Sequence, residues 1–195
     1  MILKIHITLL LAFLYNLYIG KKKIFFIAYM FIIMHELSHM IMALILNVDI
    51  EEITLLPFGV NAKYSGRINM LNEFLIAIIG PIATLFFAFV YQNDTYFKIN
   101  FLILLFNLIP IYPLDGGRII RVFFVRVLGQ KLGNKLNKLL NHFFMSVLIF
   151  FAIYMLIKYK NISFLLLSIY VWRIYREEIQ KDKLQSIINY LQMNQ

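Results

Sequence analysis

The chain has 195 residues, 62% of them hydrophobic and 15% charged, with a mean hydropathy of +0.77. These values lie far outside the range of soluble globular domains and exclude a water-soluble enzyme or binding module. The formal charge of +9 is explained by basic residues beside anionic lipid and requires no nucleic acid, and the lack of cysteine excludes disulfides and thiolate metal ligands.

A helix needs about 20 apolar residues to cross a bilayer. Six stretches qualify, roughly 3–19, 24–46, 71–91, 97–115, 139–157 and 161–175, so the expected fold is an all-α polytopic membrane protein with six transmembrane helices. The first is retained as a span, because no small-residue cleavage site follows it and Lys21 to Lys23 come after it instead of before it. Placing the amino terminus in the cytoplasm puts most of the nineteen Lys and Arg in cytoplasmic loops and both termini in the cytoplasm. His6 begins span one without a spaced partner and reads as interfacial packing.

Span two contains His35-Glu36-Leu37-Ser38-His39, an H-E-x-x-H pattern inside the uninterrupted apolar run from Ile24 to Leu46. Positions i and i+4 share a helix face, so two imidazoles can grip one zinc while Glu36 stands beside it to act on water. Ionisable residues near a bilayer centre cost roughly 2.5 to 3.5 kcal/mol each on insertion scales, so three within five positions need a partner or an ion. The alternative is a pair of core histidines satisfied by packing.

After span two, Ile53, Leu55, Val60, Ala62 and Tyr64 alternate around Pro57-Phe58-Gly59. That pattern reads as a short β-hairpin over 50–64 whose edge can accept a substrate strand, or as a plain surface loop. In span three, Gly80-Pro81 reads first as a close helix crossing with a kink.

Span four ends in Asn107-Leu108-Ile109-Pro110-Ile111-Tyr112-Pro113-Leu114-Asp115-Gly116-Gly117-Arg118. Two prolines and a Gly-Gly pair break the helix, and freed backbone is tolerated at membrane depth only inside protein or beside a wet cavity. A zinc held by two histidines takes a carboxylate as third ligand. Asp49, Asp94 and Asp182 fall in loops or the tail, which leaves Asp115; the alternative is an exposed cap for the next helix. Asn107 offers an amide inside an apolar span, either to a substrate or as packing between helices. His142, near the start of span five, has no spaced partner and reads as interfacial packing, and the tail from Arg173 reads as an amphipathic helix.

Together H-E-L-S-H and N-x-x-P-x-x-P-L-D-G-G resemble the site-2 protease family of intramembrane zinc metalloproteases, most closely its sporulation branch, which processes the precursor of a mother-cell sigma factor. The resemblance covers roughly residues 1–175, the expected protease domain, with 176–195 as a cytoplasmic tail or linker remnant. It implies one zinc per chain on His35, His39 and Asp115, Glu36 as catalytic base, and Asn107 and Pro113 in a substrate-facing motif. It also implies a membrane-associated protein substrate such as a sigma-factor precursor, a membrane-protein inhibitor or regulator, and residence in a bacterial cell membrane or the outer forespore membrane. Thr84 stands where many members have Asn after the Gly-Pro pair, and no catalytic role is assigned to it. Sporulation-type members continue into a nucleotide-sensing CBS domain where this chain stops, and no loop is long enough for the PDZ domain of other branches. A membrane metal carrier or an inactive scaffold of the same fold is the competing reading; a carrier has no use for Glu36 and wants ligands at several depths.

Overall fold

The computed structural model describes residues 2–5, 14, 17–18, 20, 22–56, 59–64, 68–91, 93–160 and 162–193. Its elements run β1 (Ile2–Ile5), α1 (Lys22–Ile45), β2 (Ile50–Leu56), β3 (Gly59–Tyr64), α2 (Met70–Val90), α3 (Asp94–Asn107), α4 (Asp115–Tyr159) and α5 (Ser163–Met193). His6 and most of the first predicted span lie outside the described residues.

Among the described helices α1, α2 and α4 are long and apolar enough to cross a bilayer, where the hydropathy pattern predicts six spans. Their outward faces leave Leu44, Phe89 and Phe150 more than half exposed. In water that exterior would aggregate; against lipid tails it is the expected surface.

Local sequence sets the helix ends. α1 contains neither Gly nor Pro and stops at Asn47, whose φ of 54° turns the chain while Val48 N–H reaches back to Ala43 O at 2.8 Å. This is a Schellman ending with Asn in the left-handed position. Asn69 caps α2 by accepting from Asn72 N–H at 2.7 Å, and Asn93 caps α3 by accepting from the amides of Thr95 and Tyr96.

Two expectations need correction. The predicted span 97–115 is not one helix: α3 has 14 residues, roughly 21 Å, and ends at Asn107, after which residues 108–114 run without helix. Pro110 and Pro113 supply no amide hydrogen to continue it. Nor is the fold all helical, because Ile2–Ile5, read as the start of span one, forms a strand. β1 pairs parallel with β2, from Ile2 opposite Glu52 to Ile5 opposite Leu55, and β3 pairs antiparallel with the other side of β2, Ile53 facing Ala62. A two-stranded ribbon alone is marginal, and the third strand supports it. β3 packs against α1.

α4 is interrupted at Gly129 (φ 79°, ψ 165°). A Cβ on Gly133 would lie 2.7 Å from the backbone of Phe124, so the chain doubles back after Gly129 and the start of the following helical segment returns beside 115–128. A core of Ile111, Leu114, Met145, Leu148, Val171 and Tyr175 then seats residues 108–114 against the returning helix and α5. Glu73 at the start of α2 takes both carboxylate oxygens to one guanidinium nitrogen of Arg121, at 2.6 Å each, and joins α2 to α4.

Candidate active site

The i, i+4 spacing in α1 puts His35 and His39 on one face, with their Nε2 atoms 3.2 Å apart. α2 crosses that face. A Cβ on its Gly80 would fall 2.3 Å from His39 Nε2 and 2.7 Å from His35 Cε1, so only glycine lets the helix backbone come this close. The close crossing expected at Gly80-Pro81 is therefore made against the two imidazoles.

The same crossing orients both rings. His35 Nδ1 lies 2.7 Å from Thr84 Oγ1, and the Thr84 hydroxyl already donates to Gly80 O at 3.0 Å. With its proton used, Oγ1 accepts from His35, which places the hydrogen on Nδ1 and leaves Nε2 with its lone pair. His39 Nδ1 lies 2.5 Å from Ile76 O, and a carbonyl only accepts, so His39 also presents a bare Nε2. The sequence assigns Thr84 no role, because nothing local pairs it with a residue 49 positions away.

Asp115 opens α4, in the first helical turn, where the helix dipole favours a negative charge. Its Oδ2 lies 3.1 Å from His35 Nε2 and 3.2 Å from His39 Nε2. All three residues are buried, at 1%, 4% and 6% exposure. Three lone-pair atoms thus face one another out of water, and among the described residues no hydrogen bond reaches Asp115 Oδ2. Tetrahedral zinc with bonds of ~2.0–2.2 Å sets its ligand atoms about 3.3–3.5 Å apart, close to the spacing here. The donor set fits one zinc, and it is the one such group of three among the described residues.

Glu36 is half-buried beside this trio. Tyr64, the last residue of β3, comes within hydrogen-bonding reach of Arg118 and within electrostatic range of Glu36 and Asp115. Burial pushes the Tyr64 phenol above its ordinary value, Arg118 pulling the other way. Tyr64, read from sequence only as an alternating strand position, is thereby brought to the site by the packing of β3 on α1.

Asn107 and Pro113 are half-buried at the two ends of the 108–114 segment. Asn107 Nδ2 donates to Ile103 O within its own helix at 3.1 Å, so part of its polarity is satisfied locally. His142 packs its ring edge-on to Tyr175, with Nδ1 2.7 Å from Lys138 O, away from the trio.

The ring orientation makes a prediction. Thr84→Val keeps the side-chain shape and removes the acceptor of His35 Nδ1–H, and loss of such an outer partner lowers metal affinity about 10- to 100-fold. Chelator competition on the purified chain measures it; unchanged affinity would mean that packing alone holds the ring.

A model of peptidase family M50 matches residues 94–151. The chain is 29% identical over 153 residues to stage IV sporulation protein FB of Bacillus subtilis, covering 70% of this chain and 53% of that protein. It is also 29% identical over 192 residues to a zinc metalloprotease of Methanocaldococcus jannaschii, covering 87% of this chain and 55% of the relative. The solved structure of the site-2 protease from Methanocaldococcus jannaschii superposes with a TM-score of 0.68 at 25% identity, over 91% of this chain and 90% of that one. The chain spans about half the length of these two curated relatives.

Proposed function

We propose that the chain is a member of peptidase family M50, whose model matches residues 94–151, and that it is an intramembrane zinc metalloprotease hydrolysing a peptide bond in or near a membrane segment of a regulatory protein. The observation that carries this reading is the buried cluster of His35 Nε2, His39 Nε2 and Asp115 Oδ2, all bare acceptors, with a carboxylate at the next position in α1. These three would hold the zinc, and the ion when bound supplies Lewis acidity toward water and the scissile carbonyl. Glu36 is the base that takes a proton from the attacking water and returns it to the departing amine. Thr84 and Ile76 O keep both imidazoles in the tautomer that leaves Nε2 for the metal.

A helical substrate hides its amides in internal hydrogen bonds and must unwind before it can be cut. The sheet order leaves β3 as the outer strand next to α1, a place where an extended segment can be added by backbone hydrogen bonds. Asn107 and Pro113, near the two ends of the 108–114 segment, contact the substrate. The similarity to stage IV sporulation protein FB favours a sigma-factor precursor as that substrate, a membrane-protein regulator, and a bacterial cell membrane or outer forespore membrane as the setting; the distribution of Lys and Arg among the loops favours both termini in the cytoplasm.

The test uses the detergent-solubilised chain and a single-span apolar peptide carrying a central Gly-Pro break. Chelation should stop hydrolysis and one equivalent of zinc should restore it, with mass spectrometry placing the cut within the apolar stretch. Hydrolysis indifferent to chelation, or confined to sites remote from the apolar stretch, would sink the proposal.

A further inference from the structure

The third member of the metal-site trio, Asp115, is the first residue of its helix and directly follows a stretch with no regular secondary structure. His35 and His39 ride on a continuous helix, but Asp115 follows the irregular stretch 108–114. No side chain caps the start of α4, where Leu114 stands at the cap position. Something must hold that stretch if the carboxylate is to face the imidazoles to within a few tenths of an ångström.

Asn141 does this from the returning half of α4. Its side chain is fully buried, at 0% exposure. Oδ1 accepts from Tyr112 N–H at 2.5 Å, across 29 residues of sequence, and Nδ2 donates to Asn137 O at 2.7 Å. Both halves of the amide are used, so its orientation is set. The same peptide unit also rests on Gly117: a Cβ there would fall 2.4 Å from Ile111 C and 2.5 Å from Tyr112 N. The Ile111–Tyr112 peptide is clamped by the Asn141 amide and the backbone of Gly117, two residues past Asp115. Leu114 N–H to Ile111 O, at 2.8 Å, closes the turn between clamp and ligand.

Resting on the metal-site reading above, we infer that Asn141 is the positioning residue for Asp115, fixing the third ligand through the Tyr112 amide and so setting the affinity and geometry of the metal site. The residue touches neither metal nor substrate. Its neighbour Asn137 is an internal control. That amide is also buried, at 8% exposure, on the same helix four residues earlier, yet its Oδ1 has no hydrogen-bond partner among the described residues. A general need for buried polar groups here predicts equal effects at both positions; the clamp predicts an effect at Asn141 alone.

The experiment reads metal, with no substrate present. The full chain is purified in detergent as wild type, Asn141→Leu, Asn141→Asp and Asn137→Leu; zinc affinity is measured by chelator competition and ligand geometry by the visible spectrum of the cobalt(II) form. Asn141→Leu should bind zinc roughly 10- to 100-fold more weakly, the range for a partner that orients a ligand, with altered cobalt bands. Asn137→Leu should stay within about two-fold of wild type, on the same scale. Asn141→Asp retains an acceptor for Tyr112 N–H and should recover most of the affinity. If Asn141→Leu does not fold, Asn141→Ser, too short to reach Tyr112 N–H, takes its place with the same expectation. Wild-type affinity and spectrum in the Leu or Ser variant, or an equal loss in Asn137→Leu, would overturn the inference. Wild type that binds no zinc would instead overturn the metal-site reading, so the two failures are distinguishable.

Discussion

Glu36→Gln should lower kcat about 10³-fold while the chain keeps its zinc. A positioned general base contributes typically 10²- to 10⁴-fold, and glutamine preserves the shape and polarity of glutamate while lacking the basic oxygen. Zinc should stay because the three atoms that converge are His35 Nε2, His39 Nε2 and Asp115 Oδ2; Glu36 is not among them. The decisive measurement pairs single-turnover hydrolysis of the apolar peptide with metal content of the same sample. Activity near wild type would mean that the base lies elsewhere. Loss of zinc together with activity would make Glu36 a ligand and would require a different base.

Asp115→Ala should weaken zinc binding by more than the 10- to 100-fold expected for an outer partner, because it removes a donor atom and not a support for one. The variant also separates two contributions to stability. Without metal, Asp115 Oδ2 lies 3.1 and 3.2 Å from the Nε2 atoms of His35 and His39, and removing one member of such a buried group lowers stability by itself. With metal, the native state gains by mass action, about 4.1 kcal/mol when free zinc is 1,000 times Kd. Wild type should therefore show a large rise in Tm on adding zinc, and Asp115→Ala almost none, each measured against its own metal-free Tm. Thermal unfolding in detergent at fixed free zinc gives both numbers. A zinc-dependent rise of wild-type size in the variant would show that another group is the third ligand.

The features legible in the sequence are those that a single segment decides. α1, α2 and α4 follow from runs of apolar residues long enough to cross a bilayer, since in lipid each backbone must satisfy itself. The pairing of His35 with His39 follows from helix periodicity. Asp115 followed by elimination among the aspartates and from the two prolines before it. Local readings failed where a second segment intervened. Ile2–Ile5 has the composition of a span but takes its hydrogen bonds from β2, and the stretch 97–115 is apolar throughout yet stops being helix at Asn107.

What the sequence by itself determined is the class of molecule and the inventory of the site: a membrane chain with an H-E-x-x-H helix and one carboxylate placed to complete it. What only the tertiary structure decided is why those groups can work together. Gly80 lets α2 touch the imidazoles, and Thr84 and Ile76 O set which nitrogen is bare. Asn141 clamps the segment before Asp115, and β3 carries Tyr64 to Arg118. Each joins residues tens of positions apart through a hydrogen bond or a contact a few ångströms long. Periodicity and composition describe only neighbours along the chain, so such contacts exist as information only once the helices have crossed.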